Sequence, residues 1–198
     1  MGVFMLIAFN KPYGVICQFS PAGDKPTLKD FVDVPNVYPA GRLDTDSEGL
    51  LLLTDDGVLQ ARIADPRRQI VKTYWVQVEG EPTDLELAPL RNGLDLGDFV
   101  TRPAAAKLLP PPAGIWARDP PIRIRQNIPT AWLEIAIAEG KNRQIRRMTA
   151  KIGYPTLRLV RVAIGTWALA GIPPGKWRAV NVPPNMLQRI NIAKNPEK

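Results

Sequence analysis

The segment from residue 40 to 57, AGRLDTDSEGLLLLTDDG, constrains the fold of this chain more than any other. Its apolar run, Leu50 to Leu53, is short, which favours a buried strand over a helix. A loop between Gly41 and Gly49 precedes the run, and it carries three acidic residues: Asp44, Asp46 and Glu48. A turn at residues 55–57 follows. A loop joined in this way to a buried strand would hold a carboxylate rigidly at the rim of a core, as nucleophilic or acid–base chemistry requires.

The absence of histidine narrows the possible chemistry. None of the 198 residues is His, so Ser-His-Asp catalysis, Cys-His catalysis and His-ligated zinc or haem are excluded. The single cysteine, Cys17, cannot form an internal disulfide, and its apolar neighbours favour a buried structural thiol. A nucleophile or a general base must therefore come from Asp, Glu, Lys, Tyr or water.

The charge of the chain favours a polyanionic partner. Its net charge is +7 and its pI is about 9.8. Residues 140–196 contain no Asp or Glu, and the basic residues there are Lys141, Arg143, Arg146, Arg147, Lys151, Arg158, Arg161, Lys176, Arg178, Arg189 and Lys194. A solvated basic face is the simplest interpretation of such a run, but a block of one sign over a quarter of the chain favours nucleic acid.

No apolar stretch reaches the roughly 18 residues of a membrane span, and residues 3–9 lack the features of a signal peptide, so a cytoplasmic protein is expected.

The periodicity of the chain predicts an α+β fold, because strands and helices are mixed without strict alternation. Strands are predicted at residues 4–9, 15–19, 50–53, 70–78, 132–139, 157–164 and 177–182. Helices are predicted at residues 27–31, 57–64, 83–93 and 142–152. We expect residues 1–184 to form the catalytic domain, as one unit or as two subdomains that share one sheet, and residues 185–198 to form a polar tail.

Three of these regions have features that bear on function. In the strand at 70–78, one face carries Lys72, Tyr74, Val76 and Val78. The last helix, with Asn142 as its predicted N-cap, has a buried stripe of Ile145, Met148 and Ile152 and a row of Arg143, Arg147 and Lys151. Residues 103–129 are rich in proline and predict a long loop or a two-stranded flap, in which Arg123 and Arg125 either contact RNA or lie on a solvated hairpin.

Three segments, in order along the chain, resemble the pseudouridine synthases of the branch that modifies ribosomal RNA. Gly41-Arg42-Leu43-Asp44 is similar to the catalytic motif of that family, and Lys72-Thr73-Tyr74 is similar to its middle segment. KNRQIRRM, from Lys141 to Met148, is similar to its third segment. The resemblance extends from about residue 4 to residue 182. By its residues alone, this last segment offers a helix N-terminus beside clustered arginines, which is suited to binding phosphate.

The resemblance implies a mixed, largely antiparallel sheet with flanking helices and a central active-site cleft. It also implies that Asp44 is the nucleophile, that Tyr74 lies against the flipped base, and that Arg146 pairs with Asp44 and keeps it ionised. The residues expected to bind the substrate are Arg42, Lys141, Arg143, Ile145 and Arg147. Taken alone, Tyr74 could be a core aromatic residue and Arg146 a cation on a helix surface. The implied reaction isomerises a uridine in large-subunit ribosomal RNA after the base leaves its stack.

No metal or organic cofactor is implied, and a monomer is expected. Many members of the branch have a small N-terminal RNA-binding domain, whereas this chain begins at the first strand of the catalytic domain. The selection of the substrate therefore has to be explained in another way.

Two other classes of protein are compatible with parts of the sequence. The basic block alone is compatible with a non-catalytic RNA-binding or ribosome-assembly protein. A metal-dependent phosphodiesterase would use Asp44, Asp46 and Glu48 as ligands. The same acids partly fit a calcium loop, but Asp55 takes the place of the usual final Glu and no helix enters the loop.

Overall fold

The computed structural model describes residues 5–123, 125 and 127–187. Within this range the strands are β1 (Leu6–Lys11), β2 (Tyr38–Pro39), β3 (Glu48–Thr54), β4 (Lys72–Glu79), β5 (Ala105–Leu109), β6 (Thr130–Ile137), β7 (Thr156–Ile164), β8 (Trp167–Ala168) and β9 (Trp177–Ala179). The α-helices are α1 (Gly57–Ala64), α2 (Ala88–Asn92), α3 (Gln144–Lys151) and α4 (Pro184–Leu187). Three-residue 3-10 turns lie at Leu28–Asp30, Pro66–Arg68 and Leu85–Leu87. Predictions that involve Phe4, Ile124 or residues 188–198 lie outside the described residues.

The strands form a single mixed sheet in the order β5-β6-β4-β7-β3-β1-β9, with β2 beside β3 and β8 beside β7. Among the described strands, β3 and β7 are the parallel pair, and the other pairings are antiparallel. This architecture confirms the predicted α+β class with a largely antiparallel sheet. No helix in the described part of the chain is long and apolar enough to cross a membrane.

Both faces of the sheet are covered at its centre, which explains why Leu50 to Leu53 are apolar without interruption. Leu51 and Leu53 belong to the core on one face, together with Phe9, whereas Leu50 and Leu52 belong to the core on the other. The alternation of β4 is also as predicted, because Tyr74, Val76 and Val78 are buried and the residues between them are partly exposed.

The parallel contact between β3 and β7 depends on a glycine. Gly49 pairs with Arg161 and has φ of +99°. A Cβ atom at position 49 would lie 2.3 Å from the carbonyl oxygen of Arg161. A glycine is therefore required at the point where the loop that carries Asp44 enters the sheet.

The predicted strand at 15–19 is wrong. The structure forms only an isolated bridge there, between Ile16 and Thr27. Val15 and Cys17 are buried as expected, but the backbone bonds to the neighbouring loop, since Ile16 N donates to Pro26 O and Leu28 N to Gln18 O. The apolar side chains fill the core from a loop, which the apolar run could not distinguish from a strand.

The region from 103 to 129 contains a strand that the proline-rich sequence did not indicate. Ala105–Leu109 forms β5 at the edge of the sheet, paired with β6. The rest of the connection is irregular as predicted, and its described residues form no two-stranded flap. Arg125 forms an ion pair with Glu79, with its Nη1 3.3 Å from Oε1. β8 was also not predicted, and β9 ends three residues earlier than residue 182.

Helix α3 begins later than predicted, so Asn142 is not its N-cap. The N-cap residue is Arg143, which has the left-handed φ of +49° and makes no capping hydrogen bond. In the predicted helix at 83–93, the Thr83–Glu86 capping box is present. That segment divides into a 3-10 turn and α2, with Pro89 in the first turn of α2, where proline is tolerated.

Candidate active site

The three segments that resemble the family motifs meet in one cleft of about 760 Å³, within the usual size range of ligand sites. Its wall is formed by the loop before β3, the start of β4, the segment before α3, and β7. The cleft is therefore built across the parallel pair at the centre of the sheet, where connections from both halves of the chain converge.

Asp44 lies in this cleft with 39% of its side chain exposed. Several bonds to the surrounding backbone hold its loop in place. Ser47 N donates to Asp44 O at 3.0 Å, and Gly14 N donates to Thr45 O at 2.8 Å. Leu43 N lies 3.4 Å from Cys17 Sγ. The carboxylate is thus accessible while the backbone that carries it is fixed.

Asp46, two residues later, is the acid to which the arginines bind. Arg143 donates to it with two nitrogens, at 3.1 and 2.8 Å. Arg146 Nη2 donates to the backbone oxygen of Asp46 at 2.7 Å, and its Nε lies 3.4 Å from the carboxylate. Burial raises the pKa of Asp46, but the hydrogen bond from Arg143 and the charges of both arginines outweigh it, so the pKa lies below its ordinary value.

The expected direct pair between Arg146 and Asp44 is therefore corrected. Arg143 is the arginine close to Asp44, with 3.7 Å between Nη1 and Oδ2. Arg146 contacts Asp46 instead and lies behind the loop. Arg143 precedes α3 with a left-handed backbone, whereas Arg146 lies within the helix, so the two side chains start from different backbone positions.

Tyr74 and Ile145 form the apolar part of the cleft. Tyr74 projects from β4 and is 8% exposed, and Ile145 projects from the first turn of α3 and is 3% exposed. Arg42, Lys141 and Arg143 also line the cleft. The structure thus brings most of the predicted site residues together.

Arg147 is directed elsewhere. It forms an ion pair with Asp98 and donates to Leu96 O at 3.1 Å, with its guanidinium 5.2 Å from the Phe99 ring. The predicted continuous row of Arg143, Arg147 and Lys151 is consequently wrong, because Arg143 precedes the helix and Arg147 faces the loop after α2.

Glu48 does not line the cleft that contains Asp44. Arg158 donates to its two oxygens at 2.8 Å each, and Trp116 Nε1 donates to it at 2.8 Å. The three acids of the loop therefore do not converge. Among the described residues no group of three acidic or other potential ligands could hold a metal ion, so the structure does not support the calcium loop or the phosphodiesterase.

The sequence interpretation gave no role at the site to Asp46 as an arginine partner, to the buried cations Lys11, Arg158 and Arg161, or to the partly buried Lys72. For the two arginines a signal was present. They interrupt a run that is otherwise apolar, LRLVRVAI, and arginine in a buried strand needs a partner.

An accessible carboxylate in a cleft lined by a tyrosine and several cations is suited to a reaction on a base of a polyanionic substrate. The chain belongs to the RNA pseudouridylate synthases, since the model of that family matches residues 5–151. It is therefore an isomerase, and the predicted family and activity are confirmed.

Named relatives and a solved structure agree with this assignment. The chain is 59% identical over 167 residues to ribosomal large subunit pseudouridine synthase E of Xanthomonas axonopodis pv. citri, covering 83% of this chain and 88% of the relative. It is 54% identical over 164 residues to the protein of the same name in Vibrio vulnificus, covering 83% and 70%. A crystal structure of a pseudouridylate synthase superposes with a TM-score of 0.72 at 30% identity, covering 91% of this chain and 72% of the other.

Proposed function

We propose that this enzyme converts a specific uridine of large-subunit ribosomal RNA to pseudouridine, with Asp44 as the nucleophile. The substrate is inferred from relatives at 52–59% identity, all named ribosomal large subunit pseudouridine synthase E. A ribosomal RNA substrate in turn favours a cytoplasmic enzyme. The single sheet is compatible with one catalytic unit and with two subdomains that share it, so the domain division of residues 1–184 stays a prediction.

The assignment of Asp44 rests on the different contacts that the three acids of the loop make. Asp46 binds two arginines, and Glu48 is buried against Arg158. Asp44 is left with its carboxylate in the cleft, and its nearest cation is 3.7 Å away. A nucleophile has to be accessible and fixed, and Asp44 meets both requirements within this loop.

The reaction follows from this arrangement. The target uridine leaves its stack, which costs a few kcal/mol, and enters the cleft. Tyr74 and Ile145 hold the base, and the carboxylate of Asp44 attacks the nucleoside. The bond between N1 and C1′ breaks, the base rotates, and C5 bonds to C1′. C5 loses its proton, N1 gains one, and the bond formed with Asp44 breaks, which regenerates the carboxylate. Attack on the sugar and attack on the base both begin from the same carboxylate.

The cations around the cleft would have different roles, some at the reacting groups and others further from them. Arg143 stabilises the charge of Asp44, and Arg42 and Lys141 at the rim of the cleft bind the RNA backbone. Arg146 fixes the backbone of Asp46 and thereby the loop, so we assign it a positioning role. Arg147 would contact RNA outside the cleft, if it leaves Asp98.

Replacing Asp44 with Asn tests the proposal, because the change keeps the shape and removes the charge. We expect near-native affinity for in vitro transcribed large-subunit ribosomal RNA and a loss of pseudouridine formation on the order of 10⁴ or more. Pseudouridine is measured by chemical mapping. The control is Asp33→Asn, which changes an exposed carboxylate far from the cleft and should leave activity unchanged.

Three outcomes would contradict parts of the proposal. An active Asp44→Asn enzyme would remove Asp44 as the nucleophile. A wild-type enzyme that binds this RNA but modifies no uridine would favour the non-catalytic RNA-binding protein. Loss of wild-type activity in excess EDTA would revive the metal-dependent alternative.

A further inference from the structure

Two cations in the cleft, Lys72 and Arg161, have no part in the reaction described above. Arg161 on β7 is paired with Tyr74 on β4. Directly opposed residues of antiparallel strands project from the same face, with their Cβ atoms about 5 Å apart. Lys72 precedes Tyr74 by two residues and so shares that face. Both cations therefore flank the tyrosine that is assigned to the base.

Arg161 is held rigidly and has donor capacity to spare. Its side chain is buried, at 5% exposure. Its Nε donates to Leu50 O at 2.8 Å and its Nη1 to Arg42 O at 3.3 Å. Its Nη2 is buried and has no hydrogen-bond partner among the residues that the structure describes. A buried guanidinium nitrogen without an acceptor is unfavourable, which suggests that an acceptor arrives with a ligand.

Lys72 is in a similar situation. It is partly buried, and within the described chain no carboxylate forms an ion pair with it. Burial and the like charge of Arg161 lower its pKa. The nearby acids are already engaged, since Asp46 binds Arg143 and Glu48 binds Arg158. The fold thus places two cations in one cleft, and within the described chain neither of them forms an ion pair with a carboxylate.

We propose that Lys72 and Arg161 form an oxyanion subsite that binds a backbone phosphate of the RNA beside the flipped uridine. This inference rests on the proposed function. A phosphodiester has the full negative charge that two desolvated cations require, whereas a uracil carbonyl has only a partial charge. Because the subsite adjoins Tyr74, a phosphate held there would fix the position of the nucleotide whose base lies against that ring.

The test compares Lys72→Met with Lys107→Met. Methionine keeps the unbranched chain of lysine and removes the charge. Lys107→Met is the matched control, because it removes the same charge on the opposite face of the sheet. Lys107 pairs there with Glu134 at 2.9 Å. The probe is in vitro transcribed large-subunit ribosomal RNA, and its affinity is measured between 50 and 300 mM salt.

We expect Lys72→Met to weaken RNA binding about tenfold and to lower the slope of log K against log salt by about 0.7 to 0.9, the value for one phosphate contact. Lys72→Arg should restore the slope. The melting temperature of Lys72→Met without RNA should be equal to or higher than that of the wild type, because burial and repulsion are relieved. Lys107→Met should leave both affinity and slope unchanged.

A neutral phosphate locates the contact. In an RNA oligonucleotide around the uridine that the wild type modifies, a methylphosphonate on one side of that uridine should weaken wild-type binding about tenfold. It should weaken Lys72→Met binding less, because only Arg161 still contacts that phosphate. A Lys72→Met slope equal to that of the wild type would overturn the subsite, as would a lower melting temperature with unchanged affinity, which would indicate a structural role. Binding does not require turnover, so an inactive wild type would contradict the proposed function without deciding the subsite.

Discussion

At the scale of single residues, the least expected group is the buried Lys11. It is fully buried, and its ammonium donates to Pro12 O at 2.9 Å and to Val15 O at 2.8 Å, with Thr45 O at 3.5 Å. Lys11 therefore connects the end of β1 to the residue that follows Asp44. Burial lowers the pKa of Lys11 to about 8, although nearby negative groups partly oppose this effect.

The shifted pKa gives Lys11 a measurable effect on stability. Between a folded pKa of about 8 and an unfolded pKa of 10.5, the unfolded chain binds more protons than the folded one, so this group makes stability rise with pH. Below the folded pKa both states are protonated, and the full unfavourable term of burying the charge remains. We expect the wild type to gain stability across this window relative to Lys11→Met, as measured by urea unfolding at pH 7 to 10.

The control for this experiment is Lys29→Met, which removes an exposed lysine and should follow the wild type at every pH. Subtracting the curves removes the contributions of groups that titrate alike in all three proteins. A difference between the wild type and Lys11→Met that is constant from pH 7 to 10 would contradict the shifted pKa.

At the scale of elements, the basic segment from 140 onwards is less free than its composition indicates. Arg158 is buried against Glu48, Arg143 binds Asp46, and Arg147 binds Asp98. All three acids come from parts of the chain before residue 100. The fold therefore neutralises part of the basic block, and phosphate binding by Arg143 or Arg147 would first require an exchange of partners.

The contact between β3 and β7 is the element-level feature most sensitive to substitution. Gly49→Ala would combine a left-handed backbone with a Cβ atom 2.3 Å from Arg161 O. The strain of the backbone alone costs about 1 to 3 kcal/mol, and the contact with fixed backbone adds to it. We expect a loss of about 4 kcal/mol or more in the free energy of unfolding, measured by urea denaturation.

Gly41→Ala separates the two contributions. Gly41 has a similar φ of +94°, but a Cβ atom there would meet nothing within 4 Å. Its substitution should show only the loss due to backbone strain, about 1 to 3 kcal/mol. Equal losses at the two positions would show that the close approach of β7 contributes nothing.

At the scale of the whole molecule, a buried ion pair connects the irregular region to the sheet. Glu48 and Arg158 are 2% and 5% exposed. Arg158 also donates to Trp116 O at 2.8 Å and lies 5.4 Å from the ring of Trp116. Two residues later, Arg118 stacks 4.3 Å from the ring of Tyr13. The connection between β5 and β6 is thus fixed beside the loop that carries Asp44, although the described part of this connection has no regular structure.

Glu48→Gln would leave the buried Arg158 without a counter-charge. Removal of one partner of a buried pair costs about 3 to 5 kcal/mol, and we expect a loss of that size in urea unfolding, together with faster proteolysis of residues 110–129. Glu134→Gln is the matched control, because its pair with Lys107 is 62% exposed on the lysine side and 30% on the glutamate side. It should change stability by less than about 1 kcal/mol. A similar small change in Glu48→Gln would show that the buried pair is not a structural requirement.

The sequence by itself determined the elements whose signals are local. The buried strand before residue 54, the helix Gly57–Ala64 and the alternating strand with Tyr74 lie where they were predicted. Hydrophobic period, capping residues and glycine positions depend on nearby residues, so they can be read without the fold. The three ordered motifs also led to the family, because their residue types and order are independent of the exact pairing of strands.

Only the tertiary structure decided which charged groups meet. The arginine partners of Asp46 and Glu48 lie 97 and 110 residues further along the chain. No local pattern marks such contacts, since a charge in the sequence has the same identity whether it is solvated or buried. These contacts between charged groups depend on the left-handed backbone of Arg143 and on the parallel pairing of β3 with β7 at Gly49. Arg143 rather than Arg146 lies beside Asp44 because of the way the chain packs, since a buried ion is stable only when a partner of opposite charge or a hydrogen-bond partner is close.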